Sequence, residues 1–128
     1  PGETKDYFRE TCDTFINFPL AYCHVFTFSE RKGTPAAKIQ EQIPMDERRK
    51  RSAHLRRISA SKRMDFFKSQ EGEVRRVLFE NPKDKTLAGY TDNYTKVIIE
   101  NPDISLANQF VDVRLMQANP EFVLGELV

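Results

Sequence analysis

The chain reads as an α+β protein with three parts. Residues 1–45 look like an incomplete helix–strand piece of an α/β barrel. Residues 46–72 look like a long basic connecting helix, and residues 73–128 like a small antiparallel OB-like β-barrel. Three observations predict this. An amphipathic helix is followed by one almost continuously apolar segment, Leu20–Phe28, that has no sister strands in the sequence. A helical run from Pro44 to Gly72 carries most of the positive charge. After Glu73, short β-rich runs alternate with turn signals.

The charge distribution bounds the function. The 128 residues carry a net charge of only +1, yet residues 48–76 hold 11 basic and 3 acidic side chains. The flanks are acidic. Such a block has too few acids for i,i+4 pairing and reads as an electrostatic footprint for nucleic acid. No apolar run approaches the roughly 20 residues a membrane span needs, so no membrane partner is expected. Cys12 and Cys23 are not spaced as a metal motif, and they read as buried free thiols in a reducing cytoplasm.

Taken in order, Thr4 is a candidate N-cap, and Phe8, Cys12, Phe15 and Ile16 fall on one helix face that Pro19 ends. The run LAYCHVFTF, residues 20–28, predicts a strand covered on both faces, as in a parallel sheet. Such a strand needs parallel neighbours, so the chain reads as part of something larger. Gly33, Thr34 and Pro35 make the next segment a loop. In parallel α/β folds, that loop is where ligands bind, which makes Ser29 and Arg31 candidates.

The basic helix opens with Pro44, Asp46 and Glu47, and Gly72 ends it. About 25 residues make a rod of roughly 37 Å. Its apolar residues form two narrow seams: Leu55, Ile58 and Phe66 on one side, and Ala53, Ala60, Met64 and Phe67 nearly opposite. Two seams suggest a helix wedged between two bodies. The alternative is that the alanines are merely helix formers. Strands are expected at 74–80, 94–100, 109–116 and 122–127, with turns at Asn81-Pro82, Asn101-Pro102 and Asn119-Pro120. Four or five short strands suggest closure into a barrel. His24 reads as packed in the sheet and His54 as solvated. Neither has a partner for acid–base work.

These segments resemble a known family. Pro1-Gly2-Glu3-Thr4 resembles the end of the G-F-P-G-E-T loop of radical SAM enzymes. HVFTFSERKGTPAA, residues 24–37, is similar to the (Y/F)-S-x-R-x-G-T-x-A signature of methylthiotransferases. The basic helix, GYTDNYTKV at 89–97 and VLGEL at 123–127 resemble their C-terminal TRAM domain, an RNA-binding barrel. His24-Val25-Phe26 is most similar to the branch acting on threonylcarbamoyladenosine in tRNA. Sister branches act on isopentenyladenosine in tRNA or on a ribosomal-protein aspartate.

The resemblance implies a parent enzyme with two 4Fe-4S clusters and S-adenosyl-L-methionine (SAM), adding a methylthio group to adenine C2 beside the anticodon. The catalytic CxxxCxxC and the second cluster's cysteines are not in this sequence. The chain therefore resembles the C-terminal portion of such an enzyme. It holds no catalytic residue, no metal ligand and no bound cofactor of its own, and is expected to be inactive alone. Glu3, Ser29 and Arg31 match positions where the family approaches SAM.

For RNA, phosphates need Lys or Arg and unpaired bases need flat partners. Candidates are Arg56 and Arg63 on the helix, Arg75, Arg76 and Arg114 on strands, and Tyr90, Asn93, Tyr94 and Lys96 at a turn and strand start. Adjacent Arg75 and Arg76 point to opposite faces. Tyr90 and Tyr94 could instead be rim or core residues. The expected partner is a tRNA anticodon stem-loop, and self-association through the orphaned N-terminal segment is a further expectation. The alternative reading is a stand-alone nucleic-acid or protein-interaction module without catalysis.

Overall fold

The computed structural model describes residues 1–80, 83, 86–100 and 103–128. The chain divides into two compact units, 1–62 and 63–128. The long helix contributes to both, rather than forming a third part.

In the first unit, α1 spans Lys5–Asn17. Thr4 is its N-cap, its hydroxyl accepting from the Tyr7 N–H at 3.2 Å. Cys12 and Phe15 are buried, as the helical spacing demands. Helix α2 spans Met45–Lys68, with Asp46 and Glu47 in its first turn. Lys62 of α2 reaches the last turn of α1 and donates to the Ile16 and Phe18 carbonyls, both at 2.9 Å. A cation there adds a donor to carbonyls at the helix end and complements the helix dipole.

The segment 20–28 departs from expectation, because it is not a strand. No sheet ladder exists in this unit among the described residues, so side chains of α2 meet its backbone instead. Ser59 Oγ accepts from the Cys23 N–H at 3.0 Å and donates to the Cys23 carbonyl at 2.8 Å. Arg56 donates to the Val25 carbonyl at 3.0 Å, and Arg48 to the Phe28 carbonyl at 3.2 Å. Thr27 donates to Ser52 at 3.0 Å. Backbone groups need partners wherever water is excluded, and one polar face of α2 provides them. Phe26 is left 85% exposed and His24 is also exposed, not packed.

Arg48 also hydrogen-bonds Glu30, and that bond holds the Glu30 carboxyl down at about 2 from an ordinary value of 4.5. A depressed acid stabilises the fold fully above its unfolded value and loses that contribution as pH falls through the folded one. The Glu30–Arg48 contact should therefore persist at neutral pH and weaken only between about 4.5 and about 2. An NMR titration of the Glu30 side-chain carbonyl tests this. A midpoint at the ordinary value would mean the contact is not made.

In the second unit, β1 (Val74–Phe79), β2 (Thr86–Thr91), β3 (Lys96–Glu100), β4 (Phe110–Ala118) and β5 (Val123–Leu127) form a closed barrel in the order β1-β2-β3-β5-β4. Strand β4 pairs back onto β1. Closure is as expected. Not every pair is antiparallel, however: β3 and β5 run parallel. The reason is topological, since β5 enters between β3 and β4, which run in opposite directions, and can therefore oppose only one of them. Strand β2 was not among the expected runs. Its Gly89 is required by crowding, because a Cβ there would lie 2.4 Å from the Leu78 carbonyl oxygen.

The barrel core is Val77, Phe79, Leu87, Val97, Ile99, Val113, Leu115, Ala118 and Val123, joined by Phe67 from the end of α2. Met64 and Phe66 pack against it. The two seams thus do not run the helix length: Phe66 and Phe67 join one core, while Ala53 and Ala60 are exposed helix formers. Gly72, at φ +86°, lets the chain turn from helix to strand, with its N–H on the Leu115 carbonyl at 2.7 Å. The Asn119-Pro120 turn forms, with the Asn119 N–H on the Phe122 carbonyl at 2.7 Å. The turns expected at Asn81-Pro82 and Asn101-Pro102 lie outside the described residues.

Candidate nucleic-acid interface

Strand alternation sorts the barrel's side chains. Val77 and Phe79 of β1 point inward, and Arg76 and Leu78 outward. On β4, Val113 and Leu115 point inward, so Phe110, Asp112 and Arg114 face out. The registers then place Lys96 opposite Tyr90, Tyr90 opposite Leu78, and Leu78 opposite Phe110. One row of outward side chains crosses β3, β2, β1 and β4. Beside it a shallow groove is lined by Arg76, Leu78, Glu80, Tyr90, Tyr94 and Phe110, among others.

Tyr94 is 72% exposed and Phe110 69% exposed. Tyr90 is also exposed, so neither tyrosine belongs to the core. Arg76 lies on this outer face, 3.6 Å from Asp112. Arg75 lies on the opposite face at the barrel's end, 3.6 Å from Asp92. This is the division expected of adjacent strand residues. Arg114 is exposed and donates to the Gly72 carbonyl at 3.4 Å.

Asn93 differs from the other candidates, because its amide is committed to the β2–β3 turn. Its Oδ1 accepts from the Thr91 hydroxyl at 2.6 Å, the Thr95 hydroxyl at 2.9 Å and the Thr95 N–H at 3.4 Å. Its Nδ2 donates to Gln70 Oε1 at 2.9 Å. Thr91, Thr95 and Gln70 are all buried. Asn93 thus shapes the turn rather than facing solvent with its neighbours.

Of the helix candidates, Arg56 is exposed and holds the Val25 carbonyl, and Arg63 is half-buried with its Nε unbonded. In the first unit, Glu3 lines a small cavity with Phe8, Val25, Phe28, Arg48 and Arg51. Ser29 and Arg31 are exposed and do not line it, so the three SAM candidates do not converge there. Glu3 accepts from Arg51 at 3.2 Å and from the Thr11 hydroxyl at 3.0 Å. Burial pushes the Cys12 thiol up, which keeps it protonated and inert.

Phe110 and Leu78 are the outer-face residues that motif reading missed. A signal for Phe110 existed: it shares strand parity with Arg114, which alternation already placed outside. Arg48 and Arg51, submerged in the charge count, had no such signal.

Residues 68–128 match the TRAM domain family. The whole chain is 35% identical to a tRNA-2-methylthio-N(6)-dimethylallyladenosine synthase of Marinomonas, spanning 29% of that protein. It is 29% identical to a threonylcarbamoyladenosine tRNA methylthiotransferase of Bacillus subtilis, again spanning 29%. A Geobacillus kaustophilus synthase of the first name is 38% identical across the full chain, which spans 24% of it. The chain therefore covers under a third of the length of these relatives. Both substrate names occur among them.

Proposed function

We propose, from the TRAM domain that residues 68–128 form, that this chain is the C-terminal part of a radical SAM tRNA methylthiotransferase and supplies its grip on tRNA. The substrate class is an already modified adenosine in tRNA, the level at which the relatives' names agree, and we place it beside the anticodon. The observation that carries the reading is the outer barrel face, where Arg76, Tyr90 and Lys96 on strands and Tyr94 in the β2–β3 turn lie within the residues matched by that family.

In this reading the reaction chemistry belongs to the rest of the enzyme. No group of three or more His, Cys, Asp or Glu that could hold a metal exists among the described residues. Cys12 is buried, and the Cys23 backbone is bonded to Ser59. These two residues do not fit a cluster. Among the described residues no helix is long and apolar enough to cross a membrane.

The test is a titration of the chain with a tRNA anticodon stem-loop at several salt concentrations. Affinity in the micromolar range, with log K falling linearly against log salt, is expected. No binding even at low salt overturns the RNA role.

A further inference from the structure

We infer that the outer face of β1, β2 and β4 receives unpaired bases of an RNA strand, which stack on Tyr94, Tyr90 and Phe110 beside Lys96. This rests on the RNA-binding reading and specifies which part of the RNA the barrel takes.

Three independent features point to bases rather than to a duplex backbone. The first is the chemistry of the face. Its rings are exposed on a sheet whose registers put Tyr90 and Phe110 on either side of Leu78. Every nucleobase has a flat face, so such a surface accepts single strands with little sequence preference. The second is the charge. Arg76 is paired with Asp112, and Arg75 with Asp92. Among the described residues Lys96 and Arg114 form no ion pair, and Arg114, toward the other end of β4, donates to the Gly72 carbonyl instead. Duplex RNA is gripped mainly through phosphates and 2′-hydroxyls and would need several unpaired cations. One unpaired lysine at the end of an aromatic row instead matches a single backbone passing its bases across the sheet.

The third feature is the backbone of Tyr94, held at φ 61°. A bulky residue in the left-handed region is an outlier, retained only where its surroundings over-determine it. Here they do. Asn93, flanked by Thr91 and Thr95, ties the turn to Gln70, and the Tyr94 N–H donates to the Thr91 carbonyl at 3.1 Å. A buried polar network thus fixes a strained residue whose ring is spent on no core contact. That is the pattern of a presented binding group, and it makes Asn93 a positioning residue.

The experiment uses the full chain with two fluorescent RNAs, a hairpin with an unpaired loop and a blunt duplex of the same stem. Tyr94→Ala and Phe110→Ala remove largely exposed rings, and thermal melts check that both variants stay folded. Each should weaken hairpin binding roughly 5- to 100-fold, leave duplex binding unchanged and keep the salt slope. Lys96→Ala should instead reduce the slope by about 0.7, one single-strand phosphate contact. Asn93→Ala should reproduce the loss of Tyr94, and a further Tyr94→Ala in that background should add little.

If wild type binds the hairpin but the ring variants bind it equally well, the stacking face is wrong and the RNA-binding reading stands. Equal wild-type affinity for hairpin and duplex also overturns the stacking face. So does a dimer in sedimentation that Phe110→Ala dissolves, because the face would then belong to a second copy. Wild type that binds neither RNA at low salt overturns both readings.

Discussion

Phe79→Ala is expected to destabilise the barrel unit by about 3–5 kcal/mol. Phe79 ends β1 and is fully buried in the core cluster. Both of its backbone groups are already bonded to the segment leading into β4: the Phe79 N–H donates to the Gln109 carbonyl at 3.2 Å, and its carbonyl accepts from the Asn108 N–H at 3.0 Å. These bonds survive truncation and hold the strand in place, so the walls cannot collapse into the space left. The lost transfer energy and the cavity then add. A domain of this size has about 5–15 kcal/mol in all, so the variant should sit near the edge of folding. Phe79→Leu keeps most of the volume and should lose less than about 1.5 kcal/mol. Denaturant unfolding of both variants measures the difference. A loss below about 1 kcal/mol for the alanine variant would mean that the barrel end is plastic.

The same closed geometry explains what was legible in the sequence. Strands β1, β3, β4 and β5 announce themselves, because one face of each is wet and the other dry. Strand β2, with TLAGYT, does not. Its Gly89 answers to the Leu78 carbonyl, a contact made only once β1 lies beside it. The segment 20–28 shows the opposite failure. Its apolar run promises a ladder, yet Ser52, Ser59, Arg48 and Arg56 of α2 take the place of neighbouring strands. Serine and arginine on a helix carry no periodic signal that they serve a distant backbone.

The candidate interface divides in the same way. Tyr90 and Tyr94 stand out as aromatic residues in a polar turn, and Arg76 and Arg114 can be placed by strand parity. The task of Asn93 cannot, because its partner Gln70 lies 23 residues away in the turn after α2. Local sequence reports which groups can bind RNA. Which of them are already occupied by the fold depends on contacts across the chain.

Arg51→Ala is expected to loosen the first unit by about 2–3 kcal/mol, more than any single deletion of its partners. Arg51 is buried, and its guanidinium makes four contacts. It donates to the Glu3 carbonyl at 2.7 Å, to the Glu3 carboxylate at 3.2 Å and to Glu47 at 3.0 Å. It also lies 5.0 Å from the centre of the Phe8 ring. Breaking a fully buried ion pair costs about 3–5 kcal/mol, but both released carboxylates here reach water, which lowers the figure. Arg51→Lys keeps the charge and loses the planar fork, so it should recover less than half of the loss. Glu3→Ala removes only one carboxylate and leaves the carbonyl and Glu47 contacts, so its effect should be smaller, at about 1 kcal/mol. Hydrogen exchange along α1 reads each variant directly, since Glu3 precedes the N-cap Thr4. If Glu3→Ala matches Arg51→Ala in exchange, the other contacts of Arg51 hold nothing. The N-terminal segment would then hang on the Glu3 carboxylate alone.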